Sequence, residues 1–265
     1  MIHATAIIHS RAQIDPSVEV GPYAIIDGPA HIAEGCRVEA HAQIVGDVRM
    51  GKGTVIGRAA VIGDTPQDLS FDPTTKSGVI MGEGNVIREH VTIHRSNKEG
   101  CFTTIGDGNF LMAGCHLGHD VQVGNKNILA NAVLIGGHVH IGNHSFLGGG
   151  AGFHQFLRVG DYCVVQGNSV VSTDVPHYCA AHLANTLIGL NVVGLRRAGF
   201  TADERAEIKK LYQCLFLSGN NLSQAIAIAR GQPWSAKAAR LLEFVQVPTK
   251  RGLARPRGKV HAAAD

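Results

Sequence analysis

Between Cys115 and Asp120 the chain reads CHLGHD, which sets two histidines and an aspartate around one leucine. An imidazole titrating at about 6.5 can take up and return a proton near neutral pH, so His119 is a candidate general base. Asp120 could hold that ring in one tautomer and stabilise the imidazolium. Adjacent residues on a regular strand point to opposite faces, so this pairing requires a bend at His119. A metal reading uses the same region. His116, His119, His138 and His140 are imidazoles of the kind zinc favours, as in a zinc hydratase, but no clean ligand spacing is evident and Asp120 then lacks a role. With fifteen histidines in the chain, residue type alone does not choose among them.

Position does. Every sixth residue from Ile105 to Val171 is apolar: Ile105, Leu111, Leu117, Val123, Leu129, Ile135, Ile141, Leu147, Phe153, Val159, Val165 and Val171. The same beat opens the chain, from Ile2 through Ile8, Ile14 and Val20 to Ile62. Two residues before each apolar position lies a small or β-branched one, such as Ala24, Cys36 or Ala42, and glycine often follows. Six is neither the helical period nor simple strand alternation. It suits a short strand and a corner, with the aliphatic inward and a glycine or small polar residue at the bend. Three such units close one coil, and coils stack as parallel strands about 4.8 Å apart. The predicted fold is an all-β solenoid, a parallel β-helix. His119 then falls at a corner, facing outward. Gly137, eighteen residues later, lies one coil higher in the same column, where its backbone N–H can donate to an oxyanion.

The beat fails twice, predicting loops at about 64–79 and 94–104 that leave a coil spanning 1–190. After Val171 it ends, and the composition changes near Arg196. Thr201 and Glu204 read as a capping box opening a helix, with Ile208, Leu211 and Leu215 at helical spacing and Gly219 as a stop. Shorter helices are expected over 223–230 and 235–245, giving a small α-helical domain over 191–247. Residues 248–265 form a basic tail expected to be disordered.

Aromatic residues make up only 5% of the chain against 33 glycines, which points to many tight turns. No apolar run approaches the roughly 18 residues of a spanning helix, and the N-terminus lacks a signal-peptide pattern. A cytoplasmic protein without membrane insertion is expected. Cys36, Cys115 and Cys163 occupy small-residue positions and read as core fillers in a reducing compartment. Residues 1–195 hold 11 Lys/Arg against 16 Asp/Glu, whereas 196–265 hold 13 against 5. The basic end could meet an acidic partner or a nucleic acid.

The hexad pattern resembles the left-handed β-helix acyltransferases of the bacterial hexapeptide-repeat family. The resemblance is closest to those members that acylate UDP-N-acetylglucosamine in the first step of lipid A synthesis. It covers about residues 1–245. It rests on PQDL (66–69), IREHVTIHR (87–95), HLGHD (116–120), ILAN (128–131), GGHV (136–139), FHQF (153–156) and NVVGLRRAGF (191–200). Left-handedness comes with the resemblance alone and departs from the usual right-handed crossover.

The resemblance implies a homotrimer with active sites in clefts between neighbouring solenoids. The implied reaction moves a 3-hydroxyacyl group from acyl carrier protein to the sugar 3-hydroxyl, with no cofactor, metal, nucleic acid or covalent enzyme intermediate. His119 is then the base and Gly137 the oxyanion donor. Gln67 and Asp68 on the first loop, with His116, His138, His154 and Gln155, line the sugar and acyl cleft. Asn191 and Arg197 contact the nucleotide, where a charge-assisted bond to diphosphate makes sense. Gly167 matches the position that limits acyl length, and a glycine there leaves room for a longer chain. Ser70, Val193 and Ala198 depart from charged positions of the best-known members. A 3-amino sugar is an alternative acceptor. The related N-acyltransferases normally carry an extra N-terminal uridine-binding domain, for which hexads starting at Ile2 leave no room.

Overall fold

The computed structural model describes residues 1–256. Its strands assemble into three sheets of nine, eight and eleven strands, each joining residues one coil apart. Ile8 pairs with Ile26, Ile14 with Ile32 and Leu117 with Ile135, all in parallel register. The stacked coils form a three-sided solenoid with one apolar core. All twelve apolar positions from Ile105 to Val171 are buried, none more than 4% exposed. Ile2, on the first coil, is 48% exposed because no coil lies beneath it.

Cys36, Cys115 and Cys163 fill the small-residue sites as expected, buried and unpaired. One column of these sites does something the beat did not foretell. Asn85, Asn109 and Asn127 stack through buried amide bonds, Asn109 Nδ2 to Asn85 Oδ1 and Asn127 Nδ2 to Asn109 Oδ1, each at 3.0 Å. Each amide also donates to a carbonyl of the neighbouring corner, so the buried polar groups are satisfied.

Both loops leave the coil where the beat fails. Residues 65–77 lie between the strands Val61–Asp64 and Gly78–Met81, and 95–101 between Thr92–His94 and Phe102–Ile105. The coil continues around them, with Val61 beside Thr92 and Gly78 beside Phe102. The first sheet therefore carries both loops next to the strand His116–Leu117, which pairs with Thr92–Ile93.

An antiparallel hairpin, Cys179–His182 with Thr186–Leu190, ends the coil. Four helices follow: α1 (Val192–Arg197), α2 (Ala202–Phe216), α3 (Leu222–Arg230) and α4 (Ala236–Gln246). The Thr201–Glu204 capping box is present, and Ile208, Leu211 and Leu215 are buried. Helix α1, capped by Asn191, was not foreseen, since six residues give too short a window for periodicity. The expected disorder of the tail does not hold for its first residues. Asp174 exchanges backbone hydrogen bonds with Gly252 and Ala254, and Arg255–Pro256 pairs with Thr186–Leu187. The coil's last strands offered an open edge, and the tail covers it. The rest of the expected tail, 257–265, lies outside the described residues.

Candidate active site

His119 sits at the corner between His116–Leu117 on the first sheet and Gln122–Val123 on the second. The required bend is supplied by Asp120, whose φ of 59° lies in the left-handed region that aspartate tolerates. With the chain turned there, His119 Nδ1 meets Asp120 Oδ2 at 2.8 Å, and both side chains are largely buried. The corner repeats upward. Asp120, His138 and Phe156 stand one coil apart, all at positive φ, with His119, Gly137 and Gln155 beside them.

Several donors converge on the Asp120 carboxyl. Ser96 Oγ–H gives a 2.6 Å bond to Oδ1, and the Asn97 backbone N–H a 3.1 Å bond to Oδ2. Its own backbone N–H donates to Thr103 Oγ1. Burial opposes ionisation of this group. The hydrogen bonds from His119, Ser96 and Asn97 outweigh it and hold the carboxyl at about 2. An ionised carboxylate only accepts, so His119 Nδ1 carries the proton towards it, and in the neutral ring Nε2 is the nitrogen that can accept.

That Nε2 faces Gly137. A β-carbon on Gly137 would lie 2.8 Å from it, so any other residue there would have to displace the ring. Among the described residues, no acceptor takes the Gly137 N–H. A basic nitrogen and an unspent backbone donor thus share one small space. The two features that proton removal from a nucleophile and stabilisation of an oxyanion require are adjacent.

Gln67, His94, His116, His119, Gly137 and His154 share a cleft of about 350 Å³, with Gln155 on its wall. His116 Nδ1 is held by Thr92 Oγ1 at 2.8 Å, and burial lowers its pKa. His138 packs edge-on to His119 and flat on Phe156, with centroids 4.9 and 4.5 Å apart. Burial lowers its pKa, against the pull of Asp120. His154 Nδ1 donates to the Gln155 carbonyl, which also accepts from Arg251. Asp68 reaches the site through Asn97 Nδ2, 3.0 Å from its Oδ2. Ser70, the departure noted above, donates its hydroxyl and N–H to Asp68 Oδ1. With Asn97 these hold Asp68 at about 2.

Other expected residues lie elsewhere. Asn191 caps α1 and donates to the Tyr162 carbonyl, at the corner between the second and third sheets. Arg197 is exposed at the end of α1. Gly167 occupies the remaining corner, between Val164–Val165 and Val170–Val171, against Gly148 and Gly149. Within one chain the expected nucleotide and acyl-length residues therefore stand on different edges from His119. The four histidines of the zinc reading are not brought together either. His140 lies on the second sheet, away from the corner. His119, Asp120 and His138 do place one ligand atom each within 4.8 Å of the others, but the closest pair is spent on the Nδ1–Oδ2 bond.

Sequence reading missed Ser96, Asn97, Thr103 and Phe156. It also passed over His94, whose imidazole is buried, edge-on to His116 and pushed down to about 4 by burial first and then by that neighbour. His94 and Phe156 carried a signal, since they lie within IREHVTIHR (87–95) and FHQF (153–156); Ser96, Asn97 and Thr103 carried none.

Comparison with known proteins follows this geometry. Residues 174–254 match the family model described as Udp N-acetylglucosamine O-acyltransferase, domain 2, and residues 102–137 match the bacterial transferase hexapeptide model of six repeats. The chain is similar to an acyl-(acyl-carrier-protein)–UDP-N-acetylglucosamine O-acyltransferase of Thermodesulfovibrio yellowstonii. The identity is 41% over 96% of this chain and 99% of that protein. The protein of the same name from Paraburkholderia phymatum is 38% identical over the same shares. Among solved structures, UDP-N-acetylglucosamine acyltransferase from Campylobacter jejuni superposes with a TM-score of 0.91 and 34% identity, over 97% of this chain and 100% of that one. The Francisella novicida enzyme gives 0.91 and 34%, over 100% and 99%.

Proposed function

Because this chain belongs to the acyl-(acyl-carrier-protein)–UDP-N-acetylglucosamine O-acyltransferase family, we propose that it moves a 3-hydroxyacyl group from acyl carrier protein to the 3-hydroxyl of UDP-N-acetylglucosamine. This would be the first step of lipid A synthesis. The observation that carries the reading is the His119 Nε2 lone pair beside the unspent Gly137 N–H, with Nδ1 fixed on Asp120.

In this reading His119 Nε2 takes the proton of the sugar 3-hydroxyl as its oxygen attacks the thioester carbonyl. The Gly137 N–H donates to the oxyanion of the tetrahedral intermediate, and Asp120 stabilises the imidazolium. Collapse breaks the carbon–sulfur bond, and the departing thiolate takes the proton back from His119. Atoms and charge balance without a cofactor or an acyl-enzyme. Asp68, steadied by Ser70 and Asn97, accepts from the sugar, and Gln67, His116, His138, His154 and Gln155 line the sugar and the start of the acyl chain.

We assign the coil a left-handed sense and the protein a homotrimeric state. The placement of Asn191, Arg197 and Gly167 on other edges supports the trimer. A neighbouring solenoid's edge beside the His119 corner would complete the cleft with nucleotide contacts and an acyl groove. Such a site is built from two subunits. Gly167 leaves that groove open to a longer chain. Six unpaired cysteines fit a reducing, cytoplasmic setting, and no helix among the described residues is long and apolar enough to cross a membrane.

The test is acyl transfer from 3-hydroxyacyl carrier proteins of graded length to UDP-N-acetylglucosamine and to its 3-amino analogue. Formation of a base-labile ester on the hydroxyl sugar is expected. Turnover of the amino sugar alone would overturn the choice of acceptor.

A further inference from the structure

The second loop holds two residues that bind the carboxylates of the proposed site, and only one of them reaches both. Ser96 is fully buried and gives its hydroxyl to Asp120 Oδ1. Asn97 donates from two separate groups. Its backbone N–H goes to Asp120 Oδ2 at 3.1 Å, and its side-chain amide goes to Asp68 Oδ2 at 3.0 Å. One residue therefore links the carboxylate under the base to the carboxylate of the sugar loop. Both carboxyls are held at about 2, so both stay ionised and can only accept. A neutral donor between them avoids direct apposition of like charges, and it fixes the orientation of the amide.

The first loop has other anchors, and they reach the second loop without touching the base. Arg95 Nη1 donates to the Thr75 carbonyl at 2.9 Å, and its guanidinium lies over the Phe71 ring at 5.0 Å. The Lys76 N–H donates to Glu99. The tip beyond Asp68 is open, with Leu69 wholly exposed. Among the described residues, Asn97 is the direct hydrogen-bonded connection between Asp68 and the Asp120 carboxylate.

We propose that Asn97 is a positioning residue that sets the sugar-binding carboxylate Asp68 in register with the His119–Asp120 pair, while Ser96 holds Asp120 and the Lys98 N–H of its own loop but makes no bond to Asp68. The proposal rests on reading Asp68 as a sugar contact and His119 as the base. Its physical content is the sensitivity of a near-attack geometry, where a displacement of about 1 Å costs on the order of a hundredfold in rate. Asn97 holds the two ends of that geometry to one residue.

The two residues predict different kinetic signatures. Ser96→Ala removes the bond to Asp120 and the acceptor of the Lys98 N–H but leaves the Asn97–Asp68 bond in place, so kcat falls about tenfold, the scale of one charge-assisted hydrogen bond, with the KM for the UDP-sugar little changed. Asn97→Ala removes the tie to Asp68, so KM for the UDP-sugar rises about tenfold and kcat falls as well. Adding Asn97→Ala to Asp68→Ala then changes KM little further, because the tie has already lost one end. Asn97→Asp keeps the shape and sets a third carboxylate against Asp68. It should be at least as damaging as Asn97→Ala, which a space-filling role would not produce.

Wild-type transfer is measured first, and melting temperatures confirm folding. Should Asn97→Ala not fold, the cycle is run with the isosteric Asn97→Asp. Additive effects in the cycle, or wild-type KM in Asn97→Asp, would overturn the coupling while leaving the function intact. An inactive wild type would instead remove the functional reading beneath it.

Discussion

At the scale of single residues, the site depends on a bend and a missing side chain. Asp120 adopts φ of 59°, which swings two neighbouring side chains onto one edge, and Gly137 clears the space that His119 Nε2 looks into. Gly137→Ala is the sharpest test of the second feature. Its φ is not in the left-handed region, so alanine brings no backbone penalty, but the new methyl would press on the imidazole. We expect kcat/KM to fall by about a hundredfold or more with an unchanged melting temperature, since the methyl displaces the imidazole and crowds the space in which the backbone N–H retained at position 137 would meet an oxyanion. Near-normal turnover in a folded Gly137→Ala protein would show that the cleared space beside the imidazole does not matter. His119 and Gly137 were legible in the sequence because each lies two residues after a beat position, Leu117 and Ile135, which fixes their relative height. Ser96 and Asn97 were not, because they lie where the beat fails and no period connects residue 97 to residue 120. Their partners became visible only once the loops were folded onto the corner.

At the scale of elements, short strands were readable as a class and their polar details were not. The apolar beat fixed the coil, the corners and the places where loops leave. It gave no hint that Asn85, Asn109 and Asn127 would form a buried amide ladder, because asparagine at a turn is ordinary in any loop-rich chain. The strand Thr92–His94 carries a further consequence. Burial and His116 push His94 down to about 4 from its ordinary 6.5, and His177 is likewise pushed down to about 4, chiefly by burial. Below pH 6.5 the unfolded chain binds protons that these folded imidazoles refuse, so stability falls as pH drops from 6.5 towards 4. Asp68 and Asp120, held at about 2, act lower. Their contribution is lost only as pH falls below the ordinary carboxylate value of 3.8 towards 2. Urea midpoints measured between pH 7 and pH 4.5 should therefore decline, and His94→Gln should flatten the decline. An identical slope in that variant would mean His94 is not among the groups responsible.

At the scale of the whole molecule, one chain presents the residues of the proposed site on three edges. His119 and Asp120 occupy one corner, the Asn191–Tyr162 contact a second and Gly167 the third. The resemblance places these residues in clefts between neighbouring solenoids, and for Gly167 the spacing agrees, since it lies 48 residues after His119, not a multiple of the eighteen-residue coil. Asn191 and Arg197 lie past Val171, where the beat ends, so only the folded chain assigns them an edge. If a neighbouring subunit completes the cleft, two inactive proteins should rescue one another. Subunits carrying His119→Ala and subunits carrying Arg197→Ala, unfolded together at equal ratio and refolded, should recover about a quarter of wild-type activity, the share of clefts that take both intact edges. No recovery in mixed trimers would place base and arginine in the same subunit's site. Beneath all of this lies the claim that His119 removes the proton of a sugar hydroxyl. It is tested most directly by single-turnover acyl transfer to UDP-N-acetylglucosamine with wild-type protein and His119→Ala. The account predicts ester formation by wild type and a loss of about a thousandfold or more in the variant, with folding and substrate binding retained. Transfer by His119→Ala at a rate near that of wild type would contradict it.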